Sequence, residues 1–199
     1  MNRQRRRRRA MGCTESDKDI IEQILAGRQD LYAILVNKYK QRMYGLLRGM
    51  GATHEDAQDI AQEAFIKAYR KLADHDRSRS FASWLYTIVV RTYQDRFKRK
   101  QLAVVEWEQE SLLDEATPEM LYLRTESQRH IRQFIQQLPP TQRMVILLRY
   151  TNECTYEEIG EITNLSMHQV KNALYRAKQS LKKLIEQGGS QYVRELPHA

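Results

Sequence analysis

From about Asp17 to Gln187 the apolar residues recur at three- and four-residue intervals rather than alternating, with good helix formers between them. The pattern predicts an all-α chain with no sheet. A first helical block, residues 17–100, breaks near Gly49-Met50-Gly51 and again across Asp74 to Ser80, giving three or four helices. Periodicity then fades over residues 101–124, where six acids, one arginine and Pro118 read as a flexible acidic linker. A second block, residues 125–187, breaks at Leu138-Pro139-Pro140, and Gly188-Gly189 reads as its stop. Residues 1–16 read as a basic, disordered tail and 188–199 as a second tail.

Within the second block, Thr155 with Glu158 and Ser166 with Gln169 have the spacing of two capping boxes, so two helix starts lie eleven residues apart. Ile159, Ile162, Leu165, Val170 and Leu174 supply the faces that join the helices. Gly160 offers space where they cross, and Asn164 tolerates the positive φ of a tight turn. The second helix is left with His168, Gln169, Lys171, Asn172, Tyr175, Arg176 and Lys178 facing outward and carries no acid as far as Lys178. Such donor-rich side chains suit base edges and phosphates in a major groove, so the pair reads as a DNA-binding helix-turn-helix.

Two segments of the first block add to this. Between His54 and Leu72, Ala57, Ile60, Ala61, Ala64, Phe65 and Ala68 can bury, while Asp56, Asp59, Gln62 and Glu63 project. Alone this is the pattern of a solvated helix face, and no histidine is placed to complete a metal site. Between Ser80 and Lys100, Phe81, Trp84, Tyr86, Tyr93 and Phe97 interleave with Arg91, Arg96, Lys98, Arg99 and Lys100. Rings for stacking and cations for the backbone are what unstacked single-stranded bases need. Phe81, Leu85, Ile88 and Thr92 also share a helical face, so about half of these aromatics are expected in the core. The preceding loop, Asp74 to Arg79, is polar and short enough to wall a pocket for a flipped base.

Charge narrows the picture. Of the net +8, six come from Arg3 and Arg5 to Arg9, leaving the rest of the chain at only +2, so the basic character is local. An acidic strap between basic regions suggests blocks that meet nucleic acid separately. The arginine run resembles the start of a signal peptide, but no apolar stretch follows it, and no run is long enough to span a membrane. With Cys13 and Cys154 the only cysteines, no disulfide framework or zinc site is expected, and the chain reads as cytoplasmic. There is no glycine loop for phosphates, no metal cluster and no nucleophile with its base, so neither enzyme activity nor a cofactor, metal or small-molecule substrate is expected.

In this order the pieces resemble a sigma factor of the sigma-70 class, in the compact extracytoplasmic-function (ECF) group that keeps two globular domains. The resemblance covers about residues 17 to 187. It implies a region 2-like domain over 17–100 and a region 4-like helix-turn-helix domain over 125–187. The segment DAQDIAQEAFIKAYR then corresponds to the helix that docks on core RNA polymerase, with Asp56, Asp59, Ile60, Gln62 and Glu63 as its contacts. SFASWLYTIVVRTYQDRFKRK resembles the element that melts and reads the −10 sequence, with Asp76, Arg77, Ser80, Phe81, Ser83, Trp84, Arg91 and Arg96 as candidates. Ser166 joins His168, Gln169, Lys171, Asn172, Tyr175, Arg176 and Lys178 as candidates for the −35 element. An anti-sigma partner, often membrane-bound in the family, is also implied. Many members carry Arg-Asn and an aliphatic residue where this chain has Val90, Arg91 and Thr92. The competing reading is a free-standing helix-turn-helix regulator acting without polymerase, which would have no use for the aromatic and basic segment after Ser80.

Overall fold

The computed structural model describes residues 16–103 and 126–195, with side chains at 16–98 and 131–187. The arginine run and nearly all of the acidic linker lie outside the described residues, among which every regular element is helical.

Helix α1 (Asp17–Leu25) starts on a capping box between Ser16 and Asp19 and turns Ile20, Ile21 and Ile24 inward. Gly27, at φ 108°, ends that turn, a break the apolar pattern does not signal. Helix α2 (Tyr32–Met50) lays Leu35, Tyr39, Met43, Leu46 and Leu47 along one buried face and stops where Gly51 adopts φ 103°. Helix α3 (His54–Arg70) is capped by the Thr53 hydroxyl, which accepts the Asp56 N–H at 3.0 Å. A short turn, Leu72–Asp74, and a polar loop lead into α4 (Phe81–Ala103). The first block therefore holds four helices, the upper of the two expected numbers.

The second block holds α5 (Glu126–Gln136), α6 (Pro140–Ile146), α7 (Tyr156–Thr163) and α8 (Met167–Glu195). Helix α6 widens into a π turn over Leu147–Thr151. Asn152 closes it, since its backbone N–H and its side-chain Nδ2 both donate to the Leu147 carbonyl at 3.1 Å. The expected stop at Gly188-Gly189 is corrected, because α8 continues through both to Glu195. Glycine in a helix costs about 1 kcal/mol but forbids nothing; proline is the residue that excludes helix, and it comes only at Pro197.

The second block packs against α2 and α4. Leu147 fills the space left by Gly49, where a Cβ would lie 2.9 Å from both Leu147 methyl carbons. The buried Tyr86 hydroxyl donates to Asn152 Oδ1 at 2.8 Å. Arg143 donates through Nη1 to the Met50 carbonyl at 3.1 Å and through Nη2 to the Leu138 carbonyl at 3.0 Å. This packing revises the division of aromatics. Phe81 and Tyr86 are buried, and Trp84, Tyr93 and Phe97 are half-buried against the core, so none of the five is exposed.

Candidate nucleic-acid interface

The helix-turn-helix is built by local hydrogen bonds. The Thr155 hydroxyl accepts the Glu158 N–H at 3.2 Å, and the Glu158 carboxylate accepts the Thr155 N–H at 2.7 Å. Ser166 and Gln169 repeat the arrangement at 3.2 and 2.8 Å, which starts α8 at a fixed register. Between them Asn164 takes φ 57°, and the Leu165 N–H returns to the Gly160 carbonyl at 3.0 Å. Val170, Leu174 and Ala177 then face the core, while Ser166, His168, Gln169, Lys171, Asn172, Tyr175, Arg176 and Lys178 are all exposed. Lys178 is held back, its ammonium 5.4 Å from the centroid of the Tyr150 ring. The other seven lie on the solvent-facing side of the helix start.

Glu158 has a second partner across the seam, because the Ser83 hydroxyl donates to its carboxylate. Burial works against the charge, but the hydrogen bonds from Ser83 and Thr155 outweigh it and hold the carboxyl below its ordinary value. A depressed pKa stabilises the fold above the unfolded value, and this contribution is lost as pH falls through the folded one. Melting temperature followed from about pH 6 to about pH 3 should therefore fall more steeply for the wild type than for Glu158→Gln, whose amide keeps an acceptor and does not titrate.

The candidates on the first block divide. Asp76, Arg77, Ser80 and Arg91 are exposed. Asp76 accepts from the Ser78 N–H and hydroxyl at 2.9 and 2.7 Å, which orders the loop before α4 and lowers the Asp76 pKa. Phe81 is not a surface group, since it packs on Tyr39, His75 and Trp84. Ser83 is likewise buried, under Glu158. Trp84 is half-buried beside His75, with ring centroids 4.9 Å apart.

On α3, Ile60 is fully buried and cannot touch a partner, a correction that follows from its place on the apolar face. Asp59 and Asp56 both meet Arg96 of α4, at 3.1 and 3.7 Å, so one arginine ties the acidic row to the aromatic helix. Glu63 pairs with Lys67 at 2.7 Å. Gln62 instead lines an apolar groove of about 1070 Å³ between α2 and α3, with Tyr32, Val36, Phe65, Ile66 and Tyr69. The Tyr32 hydroxyl fixes one wall by donating to the Phe65 carbonyl at 2.7 Å. Sequence reasoning missed this groove. Its trace was the row Gln58, Gln62, Ile66, Tyr69, which places two large apolar side chains on the otherwise polar face of α3.

Among the described residues no group of histidine, cysteine, aspartate or glutamate side chains could hold a metal ion, and no helix is long and apolar enough to cross a membrane. Family models for Sigma-70 region 2 and Sigma-70 region 4 match residues 35–102 and 128–181. The chain is 36% identical over 178 residues to the ECF RNA polymerase sigma factor SigW of Bacillus subtilis, an alignment covering 83% of this chain and 95% of that one. It is 31% identical over 183 residues to the RNA polymerase sigma-H factor of Pseudomonas aeruginosa, covering 86% and 95%. In fold it matches the sigma factor RpoE of Bartonella quintana, solved with the anti-sigma factor NepR, at a TM-score of 0.66 and 18% identity over 78% of this chain and 96% of that one. It also matches CnrH, solved with the cytosolic domain of CnrY, at 0.64 and 22% over 86% and 98%.

Proposed function

Since the chain belongs to the sigma-70 family, in its ECF group, and so directs RNA polymerase to promoters, we propose that it divides this work among three surfaces. The exposed face of α8 reads the duplex −35 element through His168, Gln169, Lys171, Asn172, Tyr175 and Arg176, with Ser166 at its start. The loop before α4 and the exposed side chains Asp76, Arg77, Ser80 and Arg91 take the single-stranded −10 element, Trp84 providing an aromatic edge. The outer face of α3, with Gln62 and the neighbouring groove, docks on core polymerase. Residues 17–100 and 125–187 are the two working units, 101–124 the linker. The protein works in the cytoplasm as a binding factor rather than an enzyme. Both solved structures it resembles in fold hold an anti-sigma or cytosolic partner, which supports an anti-sigma partner for this chain as well.

The observation that carries this reading is the register of α8. Two capping boxes and a left-handed Asn164 present a solvent-facing row of donors with no acid among them, on a helix packed only along its opposite side. The test separates the surfaces. Arg176→Ala should weaken binding to −35 duplex by about 1–3 kcal/mol and leave affinity for core polymerase unchanged. Gln62→Ala should weaken polymerase binding by on the order of 1 kcal/mol and leave duplex binding unchanged. Gln62 is a cleaner probe than Asp59, whose removal would also take from Arg96 one of its two carboxylate partners. Equal loss of both activities in either folded variant would overturn the division.

A further inference from the structure

The loop before α4, assigned to the −10 strand, is held from inside. His75 lies where the Leu72–Asp74 turn passes into that loop, its N–H donating to the Leu72 carbonyl at 3.3 Å, and its ring is buried. The ring meets Phe81 and Trp84 edge-on, at centroid distances of 5.7 and 4.9 Å, and Phe81 packs in turn on Tyr39 of α2. Neither Nδ1 nor Nε2 has a hydrogen-bond partner. Buried polar atoms are nearly always paired, so this ring is held as an aromatic body and not through its nitrogens. A phenylalanine would pack there equally well. What the histidine adds is a place for a proton.

That proton would find no free acceptor. Asp17 and Lys18 of α1 line the small cavity beside the ring, with Arg77 and Arg79 of the loop. Asp17 is already taken by Lys38 at 2.6 Å and by the Tyr39 hydroxyl, and Asp76 by Ser78. Glu22 of α1 faces Arg77 at 3.8 Å, and Glu161 of α7 pairs with Arg79 at 2.9 Å. Phe81 and Trp84 of α4 offer only rings. Burial is the largest influence on His75 and lowers its pKa, with Arg77 adding to this; Asp76 and the Ser80 backbone pull the other way without restoring it.

We propose that His75 is a positioning residue for −10 recognition, an aromatic pin that sets Trp84 and the loop before α4 while its ring is neutral and releases them when the ring takes a proton. The inference rests on the −10 assignment above. A packed ring binds a proton less well than a released one. The packed arrangement is therefore fully favoured above the ordinary histidine value of about 6.5 and loses ground below it, by up to about tenfold per pH unit. The −35 face responds with the opposite sign, since a proton on the exposed His168 adds a cation there. In acid the factor loses the single-strand half of recognition and keeps the duplex half.

The test titrates the full-length chain, bound to core polymerase, with a single-stranded −10 oligonucleotide and separately with −35 duplex, from about pH 7.5 to about pH 5.5 at constant ionic strength. Wild type should lose strand affinity about three- to tenfold over this range, with duplex affinity held or raised. His75→Phe, which keeps a ring in the site and cannot be protonated, should hold the strand affinity it has at the upper pH to within about twofold. Should the variant fold poorly, NMR of the wild type decides: the His75 ring should titrate below the exposed His54 and His168, and the Trp84 indole signal should move with it. Wild-type strand binding that does not change with pH, an equal fall in His75→Phe, or a parallel fall in duplex binding would overturn the pin, as would a Trp84 signal indifferent to the His75 titration. Failure of the −10 assignment would look different, with neither protein retaining the strand at any pH, and would remove the pin along with it.

Discussion

Gly160→Ala should lower the melting temperature by about 5–10 °C and abolish initiation at promoters that depend on the −35 element, as measured by calorimetry and by run-off transcription. In an ordinary exposed helix this substitution stabilises by about 1 kcal/mol. Here the sign reverses, because the added Cβ would lie 2.9 Å from the Leu165 carbonyl oxygen. That oxygen belongs to the backbone of the turn, so relief means moving the turn, at a cost of about 1–3 kcal/mol. The same displacement shifts the start of α8, where Ser166 and Gln169 set the register, so groove reading should fail at temperatures where the chain is still folded. Retained −35-dependent transcription at the wild-type level would show that the close approach does not set the reading geometry.

Ile60→Ala should destabilise the first block by about 2–4 kcal/mol and reduce polymerase binding only in proportion to the fraction unfolded. Ile60 is fully buried, on the face of α3 that packs into the core. Titrating polymerase at low temperature, where the variant remains folded, should return near wild-type affinity, whereas Gln62→Ala should remain weak there. The pair separates a residue that shapes the docking helix from one that faces the partner. A folded Ile60→Ala chain with strongly impaired binding would contradict that assignment.

What the sequence disclosed depended on how far apart the interacting residues stand. The capping boxes at Thr155 and Ser166 and the turn at Asn164 involve groups three to five positions apart, and each was legible from residue type and spacing. The core face of α3 was legible from its period, which places Ile60 among the burying residues and Gln62 among the projecting ones; only the family motif names both as contacts. The seam was not legible at all. It joins Gly49 to Leu147, Tyr86 to Asn152 and Ser83 to Glu158, pairs 66 to 98 positions apart. Nothing in local periodicity distinguishes a tyrosine that stacks on a base from one that donates across a buried interface. The same limit hid the groove, whose walls come from two helices and whose apolar content, read on α3 alone, is two residues in a polar row.

Cys154 sits beside this seam, close enough to Tyr86 to act electrostatically on its hydroxyl, and it is buried. Burial, with the Glu158 charge adding to it, pushes the thiol pKa up to about 12, so at pH 7 the sulfur is held as the unreactive thiol. An alkylating reagent is thus excluded twice, by access and by protonation, until the surroundings of Cys154 open. The chain thereby contains its own clock: the labelling rate of this one sulfur, read by mass spectrometry on the unmodified sequence, counts how often that part of the molecule comes apart.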